Sequence, residues 1–143
     1  MSIFEKLFRR RYLSVTQRIL GAMEAFTSAA LFMIPSSDYK TDDIRTKRVQ
    51  VFLFGALDAL IQQNHISGQE MYDTLAAYLR QAFPVMTPND IQAVGSFLSD
   101  ASADPKWIPV MRRGGQTMVD WSRGDAAAPS RLFKVVYHGM DDL

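Results

Sequence analysis

The sequence predicts an all-α protein, a single-domain bundle of six or seven helices around a central apolar helix. Three observations carry this prediction. Apolar residues recur with helical spacing along most of the chain, no segment alternates with the period of two that marks a strand, and one stretch is apolar on nearly every side. With 143 residues, 48% of them hydrophobic, the chain is long enough for one domain with its own core (residues 1–143).

The first predicted element is a short basic amphipathic helix over residues 1–12, with Ser2 and Glu5 as its cap. The apolar face of this helix comprises Ile3, Phe4, Leu7 and Phe8. The basic face comprises Lys6, Arg9 and Arg10. Such a helix can dock on the bundle or on a second copy of the chain, or it can lie on an anionic membrane surface. Docking is the favoured interpretation because the segment is short and its bases are few.

The second predicted helix covers residues 15–34 and carries a narrow polar stripe that includes Glu24. The apolar part, 19–34, is too short to cross a bilayer, which takes about 20 apolar residues. Glu24, Thr27 and Ser28 also interrupt the apolar run that a signal peptide needs. The prediction is therefore a buried amphipathic helix in a cytoplasmic protein, with contact at the membrane periphery as an alternative.

The central helix is predicted over residues 42–63, because its stretch 49–61 is apolar apart from Gln50 and Asp58. Asp58 has two interpretations. It lies with Gln50 and Gln62 on the one wet edge of this helix, or it is sequestered with a raised pKa. If Asp58 faced Glu24 across two helices, a metal or acid–base site would follow. The wet edge is favoured because a buried unpaired charge is costly.

Two further helices, 67–83 and 87–101, are predicted to start with the same cap chemistry. Ser67 precedes Glu70 by three residues and Thr87 precedes Asp90 by three, the spacing of a capping box. Pro88 suits a first helical position. In the last third of the chain, Pro129 is predicted to open a short helix that Gly139 closes, with these residues turned inward: Leu132, Phe133 and Val136.

A tryptophan-bearing helix is the sharpest candidate for a partner-binding surface. Its apolar residues share one helical face: Trp107, Met111, Gly114, Met118 and Trp121. A glycine in such a face lets another backbone or a flat ligand approach closely, and Arg112 and Arg113 lie beside it. Packing against the central helix is the favoured interpretation of this face, and a partner-binding site is the alternative. The candidate partner-binding residues are therefore this face and the N-terminal helix: Phe4, Leu7, Phe8, Arg9, Arg10, Trp107, Met111, Arg112, Arg113, Gly114, Met118 and Trp121.

The composition narrows the classes of function. The chain has no cysteine, which excludes disulfides and cysteine-built metal sites, and its net charge of +1 makes a nucleic-acid binder unexpected. The charge is uneven, however, with a net +4 over residues 1–48 and a net −3 over residues 49–143. His65 and His138 both fall at predicted helix C-termini, where the helix dipole explains them.

We find no motif for a catalytic, phosphate-binding or metal-binding site in the sequence, so no cofactor and no metal are expected. The predicted function is a non-catalytic, protein-binding helical module whose partner is another protein or a second copy, as in a homodimer. The alternatives are a peripheral membrane or apolar-ligand-binding protein and, less favoured, an enzyme with a carboxylate site.

Overall fold

A computed structural model describes residues 3–83 and 86–139, and for residues 4–14 it describes the backbone alone. Within these residues the chain has seven α-helices, one 3₁₀ turn and no strand, so the predicted all-α bundle is confirmed. The helices are α1 Ile3–Leu31, α2 Ser36–Lys40, α3 Asp43–Gln63, α4 Gln69–Ala82, α5 Pro88–Ala101, α6 Ile108–Ser122 and α7 Arg131–His138, with the 3₁₀ turn Ala128–Ser130 before α7. Every helix in the described residues is too short or too polar to span a membrane.

Helix α3 is the central element of the bundle, as its apolar sequence predicts. It begins after Asp42, whose side chain accepts a hydrogen bond from the backbone N–H of Arg45 (3.0 Å). The enclosed side chains of α3 make up much of the core, and they are Val49, Val51, Phe52, Leu53, Ala56 and Leu57. Helices α1, α2, α5, α6 and α7 all contact α3, and α6 has the most extensive contact. Its burial on nearly every side stabilises the fold through the hydrophobic effect.

Helix α1 runs from Ile3 to Leu31 without interruption, so the prediction of two separate helices over 1–12 and 15–34 is wrong. The sequence between those segments contains neither glycine nor proline, and nothing there ends a helix. The core face of α1 is built from Ile19, Met23, Phe26 and Ala30. Two side-chain hydrogen bonds join α1 to α4. One links the hydroxyls of Thr27 and Tyr78 (2.8 Å), and in the other the Gln81 amide donates to the carbonyl of Leu20 (3.1 Å).

The starts of α4 and α5 differ, although the sequence predicts the same cap for both. At α5 the box is complete, because Thr87 Oγ1 accepts the Asp90 N–H (3.2 Å) and Asp90 Oδ2 accepts the Thr87 N–H (2.9 Å). At α4 the N-cap is Gly68, with a φ of 63°, and the predicted Ser67 cap is wrong. The left-handed turn at Gly68 places the helix start one residue beyond Ser67, so the serine hydroxyl does not serve the first-turn amides.

The last helix packs on α3 by a face that the sequence identifies only in part. Leu132, Val135 and Val136 are buried, whereas Phe133 is 40% exposed, so the prediction that Phe133 turns inward is wrong. Leu132, Val135 and Val136 stand at i, i+3 and i+4 and therefore share a helix face. Phe133 follows Leu132 by one position and lies about a quarter turn away from it. Gly139 ends α7 with a φ of 71°, as predicted. A hydrogen bond from Tyr137 Oη to Asp38 Oδ2 (2.5 Å) ties α7 to α2.

Candidate partner-binding groove

The tryptophan face of α6 packs inside the chain. Trp107 is 5% exposed and Met118 is fully buried. Gly114 lies against α3 so closely that a Cβ built on it would be 1.9 Å from the carbonyl oxygen of Phe52. The close backbone approach predicted for Gly114 therefore occurs, and the backbone that approaches is α3. Intramolecular packing, the interpretation that the sequence favours, describes this face, and Trp107, Gly114 and Met118 are not accessible to a partner.

The remaining members of the predicted tryptophan face have mixed exposure. Trp121 is half-buried, with its ring edge-on to Phe26 at 5.5 Å between ring centroids. Met111 is half-buried, and its backbone carbonyl lies against Gly55. Arg112 is exposed, and Arg113 is half-buried. Of the set, Arg112 therefore has the most accessible side chain.

The N-terminal candidates fall outside what the structure describes. Helix α1 includes Phe4, Leu7, Phe8, Arg9 and Arg10 in its backbone, but their side chains lie outside the described residues. The predicted Ser2–Glu5 cap lies outside them as well. The partner role expected for this segment stays a prediction.

An open apolar groove lies between α4 and α5 with α3 as its floor. We call it the Asp58 groove, and it is lined by Phe54, Asp58, Ile61, Met71, Tyr72 and Leu75, together with small residues of α5. It encloses a cavity of about 170 Å³. Tyr72 is 63% exposed at its rim, and Met71 and Leu75 are half-buried. The groove therefore offers apolar side chains and one carboxylate to an occupant.

A second cleft adjoins the groove on the other side of Asp58. This α3–α6 cleft has a volume of about 380 Å³, and it shares Asp58 and Ser102 with the groove. Ile108, Met111 and Arg112 of α6 form its far wall, and Gly55 and Gly115 lie at its base. The two spaces meet at Asp58, which is the one carboxylate that both share.

Asp58 is half-buried, and the pKa of its carboxyl is raised because burial disfavours the charged form. The amide of Gln62, one turn further along α3, donates a hydrogen bond to Oδ2 (2.7 Å) and acts on this pKa in the opposite sense. Among the described residues, no basic side chain forms an ion pair with Asp58. A cation placed in the groove would therefore compensate a partly desolvated charge.

The sequence interpretation of Asp58 is correct in part. Asp58 and Gln62 do share an edge of α3, but Gln50 is buried, so its predicted place on that edge is wrong. Glu24 is exposed on α1, and neither Glu24 nor His65 nor Asp120 lines the two spaces around Asp58. In the part of the chain that the structure describes, no three His, Asp or Glu side chains lie together as a metal site.

The residues that make the groove were not singled out as a site from the sequence. Met71 and Leu75 fall on the apolar face of the predicted helix 67–83, and Tyr72 carries no signal in the sequence that separates it from a surface tyrosine. A second apolar surface was also missed, at the end of α1, where Phe32 is 83% exposed and Met33 66% exposed, next to Phe133. The apolar run just before Pro35 is the sequence feature that could have indicated it.

Comparison with protein-family models gives no match for this chain, and comparison with curated proteins and with solved structures gives no significant match either. Function is therefore inferred from the groove, its charge and its surroundings.

Proposed function

We propose that the protein is a non-catalytic protein-interaction module whose Asp58 groove receives an amphipathic helical segment of a partner. The observation that carries this proposal is an open apolar groove whose floor holds a partly desolvated carboxylate that forms no ion pair among the described residues. Helix-in-groove recognition uses this combination, since the apolar face of the incoming helix supplies the contact area and a single charged residue sets its register. The predicted cytoplasmic location stays part of the proposal.

The dimensions of the groove support a side chain as the inserted group. A cavity of about 150 Å³ holds one benzene molecule. The 170 Å³ of the groove therefore suits one large apolar side chain, such as Leu or Phe. The exposed Tyr72 ring at the rim can pack on the flank of the same helix, and tyrosine is a residue type enriched in protein interfaces. A Lys or Arg one turn away on the partner helix would reach Asp58.

The experiment selects ligands for the groove without assuming a sequence. A displayed library of amphipathic helical peptides is selected on the full chain, and the affinity of the winners is measured by fluorescence anisotropy. We expect the winners to carry a Lys or Arg on their apolar face. We also expect Tyr72→Ala and Asp58→Asn each to weaken their binding by roughly tenfold or more.

Phe32→Ala is the matched control, because Phe32 is an exposed aromatic residue outside the groove. Binding should be unchanged in this variant. Two results would contradict the proposal. One is that the selected peptides bind equally well to the Tyr72→Ala variant, and the other is that they show no preference between a base and an acid on the apolar face.

A further inference from the structure

We infer that the occupant of the Asp58 groove is the N-terminal segment, residues 3–11, of a second copy of this chain, and that reciprocal docking forms a symmetric dimer. This inference rests on the proposed function, because it names the partner for the same groove. It has three supports, namely the charge of the two surfaces, the residue pattern of the segment, and the direction of α1.

The stretch of chain that lines the groove and the N-terminal segment carry opposite net charges. Residues 49–105, which include most of α3 and all of α4 and α5, carry six acidic side chains and one basic side chain, Arg80. The acidic residues are Asp58, Glu70, Asp73, Asp90, Asp100 and Asp104. Residues 1–18 carry five basic side chains and one acidic side chain. Opposite net charges on two stretches of one chain favour association between copies.

The residue pattern of the segment matches what the groove offers. On a helix, Phe4, Leu7 and Phe8 share a face, and Arg11 continues that face one turn after Leu7. The helix therefore presents large apolar groups followed by a single cation. In the proposed dimer, an apolar side chain of the segment would fill the 170 Å³ cavity, and Arg11 would pair with Asp58. The helical spacing assigns Arg9 to the opposite face, so the proposed docking does not use it.

The direction of α1 excludes docking of the segment in the groove of its own chain. Leu20 contacts Gln81 and Thr27 contacts Tyr78, so α1 and α4 run antiparallel. The N-terminal end of α1 therefore points past the C-terminal end of α4. At about 1.5 Å per residue, residue 11 lies about 14 Å beyond Leu20. The groove residues Met71 and Tyr72 lie the other way along α4, so a continuous α1 cannot bring residues 3–11 back to them.

The test measures self-association of the full chain by sedimentation velocity over a range of concentrations. We expect a monomer–dimer equilibrium whose dissociation constant rises roughly tenfold or more in Arg11→Asp and in Tyr72→Ala. Arg9→Asp changes the net charge equally but on the other face, and it should weaken the dimer much less. Far-UV circular dichroism checks that each variant is folded.

A charge exchange makes the test specific for the pair. Asp58→Arg alone should weaken the dimer, and Arg11→Asp combined with Asp58→Arg in one chain should restore much of the affinity. Restoration supports direct pairing of the two positions across the interface. Equal loss in the single and the double variants would overturn it.

Other outcomes separate the inference from the proposed function. A chain that stays monomeric at its highest soluble concentration, while the groove still binds displayed helices, overturns the inference and leaves the proposed function standing. Binding of the chain to phosphatidylserine vesicles that is lost in Arg11→Asp, without any dimer, would assign the segment to a membrane and also overturn it. If neither displayed helices nor a second copy is sensitive to Tyr72→Ala, both proposals fail.

Discussion

Gly114 of α6 lies directly against the carbonyl oxygen of Phe52 of α3, with room for a hydrogen atom and none for a methyl group. The contact has a counterpart, because Gly55 of α3 lies in the same way against the carbonyl of Met111 of α6. Two glycines thus bring the backbones of the central helix and its main neighbour into direct contact. This crossing fixes the position of α6 and, with it, the wall of the α3–α6 cleft next to Asp58.

We expect Gly114→Ala to lower the free energy of unfolding by about 1–3 kcal/mol or more, as overpacking does in a core. A Cβ at this position would be 1.9 Å from the Phe52 oxygen, and both partners are backbone atoms in regular helices, which cannot move aside singly. The same result is expected for Gly55→Ala, where the distance to the Met111 oxygen is 2.0 Å. Urea denaturation followed by circular dichroism measures both.

Gly21→Ala is the matched control, since Gly21 lies within α1 and a Cβ there would meet nothing within 4 Å. Alanine is the better helix former, and this variant should be more stable than the wild type by up to about 1 kcal/mol. A change of stability in the same direction in Gly114→Ala and Gly21→Ala would contradict the close packing of α3 and α6 at Gly114.

The sequence is sufficient for most of the helices and their order, but not for the continuity of α1, the short helix α2 or the surfaces that face outward. Helical spacing and the cap residues Asp42 and Thr87 are local features, and they located α3 and α5 almost to the residue. Gly114 shows the limit of such features. Trp, Met and Gly on one helix face are equally suited to a core and to an interface, and only the position of Phe52 in space decides between them.

The groove could not have been predicted in the same way. Asp58 is on α3, whereas Met71, Tyr72 and Leu75 are on α4, and no spacing in the sequence relates the two sets. They meet because α4 packs on α1 and α5, and α5 packs on α3. The raised pKa of Asp58 is a second consequence of that packing, and the sequence shows only that an aspartate interrupts an apolar helix.

The buried hydroxyl of Tyr78 predicts a loss of stability at alkaline pH. Burial raises the pKa of this phenol well above its ordinary value, and its hydrogen bond to Thr27 acts in the opposite sense. The neutral phenol favours the folded state, so its contribution is complete below about pH 10 and decreases as the pH rises above that value towards the folded-state pKa. The loss of stability at alkaline pH should therefore be smaller in Tyr78→Phe than in the wild type.

The measurement compares the free energy of unfolding at about pH 8 and about pH 11. At the lower pH we expect Tyr78→Phe to cost about 1 kcal/mol through the lost hydrogen bond to Thr27. Tyr72→Phe is the control, because it removes a hydroxyl group from an exposed tyrosine. An equal alkaline slope in the wild type and in Tyr78→Phe would refute the role of the buried phenol.

The ion pair between Arg131 and Asp120 predicts a loss of stability in acid. Arg131 Nη1 lies 2.6 Å from Asp120 Oδ2 and joins α7 to α6. The pKa of Asp120 is lowered, chiefly by this hydrogen bond and next by that from Gln116. Its contribution is therefore present above the ordinary aspartate pKa of about 3.9 and is lost as the pH falls through the lower folded-state value.

Asp120→Asn should lower the thermal midpoint at neutral pH and flatten the pH dependence of stability below about pH 4. Asp43→Asn removes a comparable charge from an exposed pair within α3, Asp43–Lys47, and should change stability very little. Thermal melts from about pH 2 to about pH 7 check both variants. The same acid dependence in the wild type and in Asp120→Asn would show that the Arg131 contact adds nothing to stability.

The two helix starts that look alike in sequence give the last prediction. Thr87→Ala should destabilise the protein by about 1 kcal/mol, because Thr87 Oγ1 accepts the Asp90 N–H at the start of α5 and an unpaired amide is left when it is removed. Ser67→Ala should be neutral, since the cap of α4 is Gly68 and the Ser67 side chain caps nothing. Thr87→Ser keeps the acceptor and should retain most of the stability. Chemical denaturation of the three variants measures the change in the free energy of unfolding. Equal losses of stability in Thr87→Ala and Ser67→Ala would contradict the glycine start of α4 and favour the capping box that the sequence predicts there.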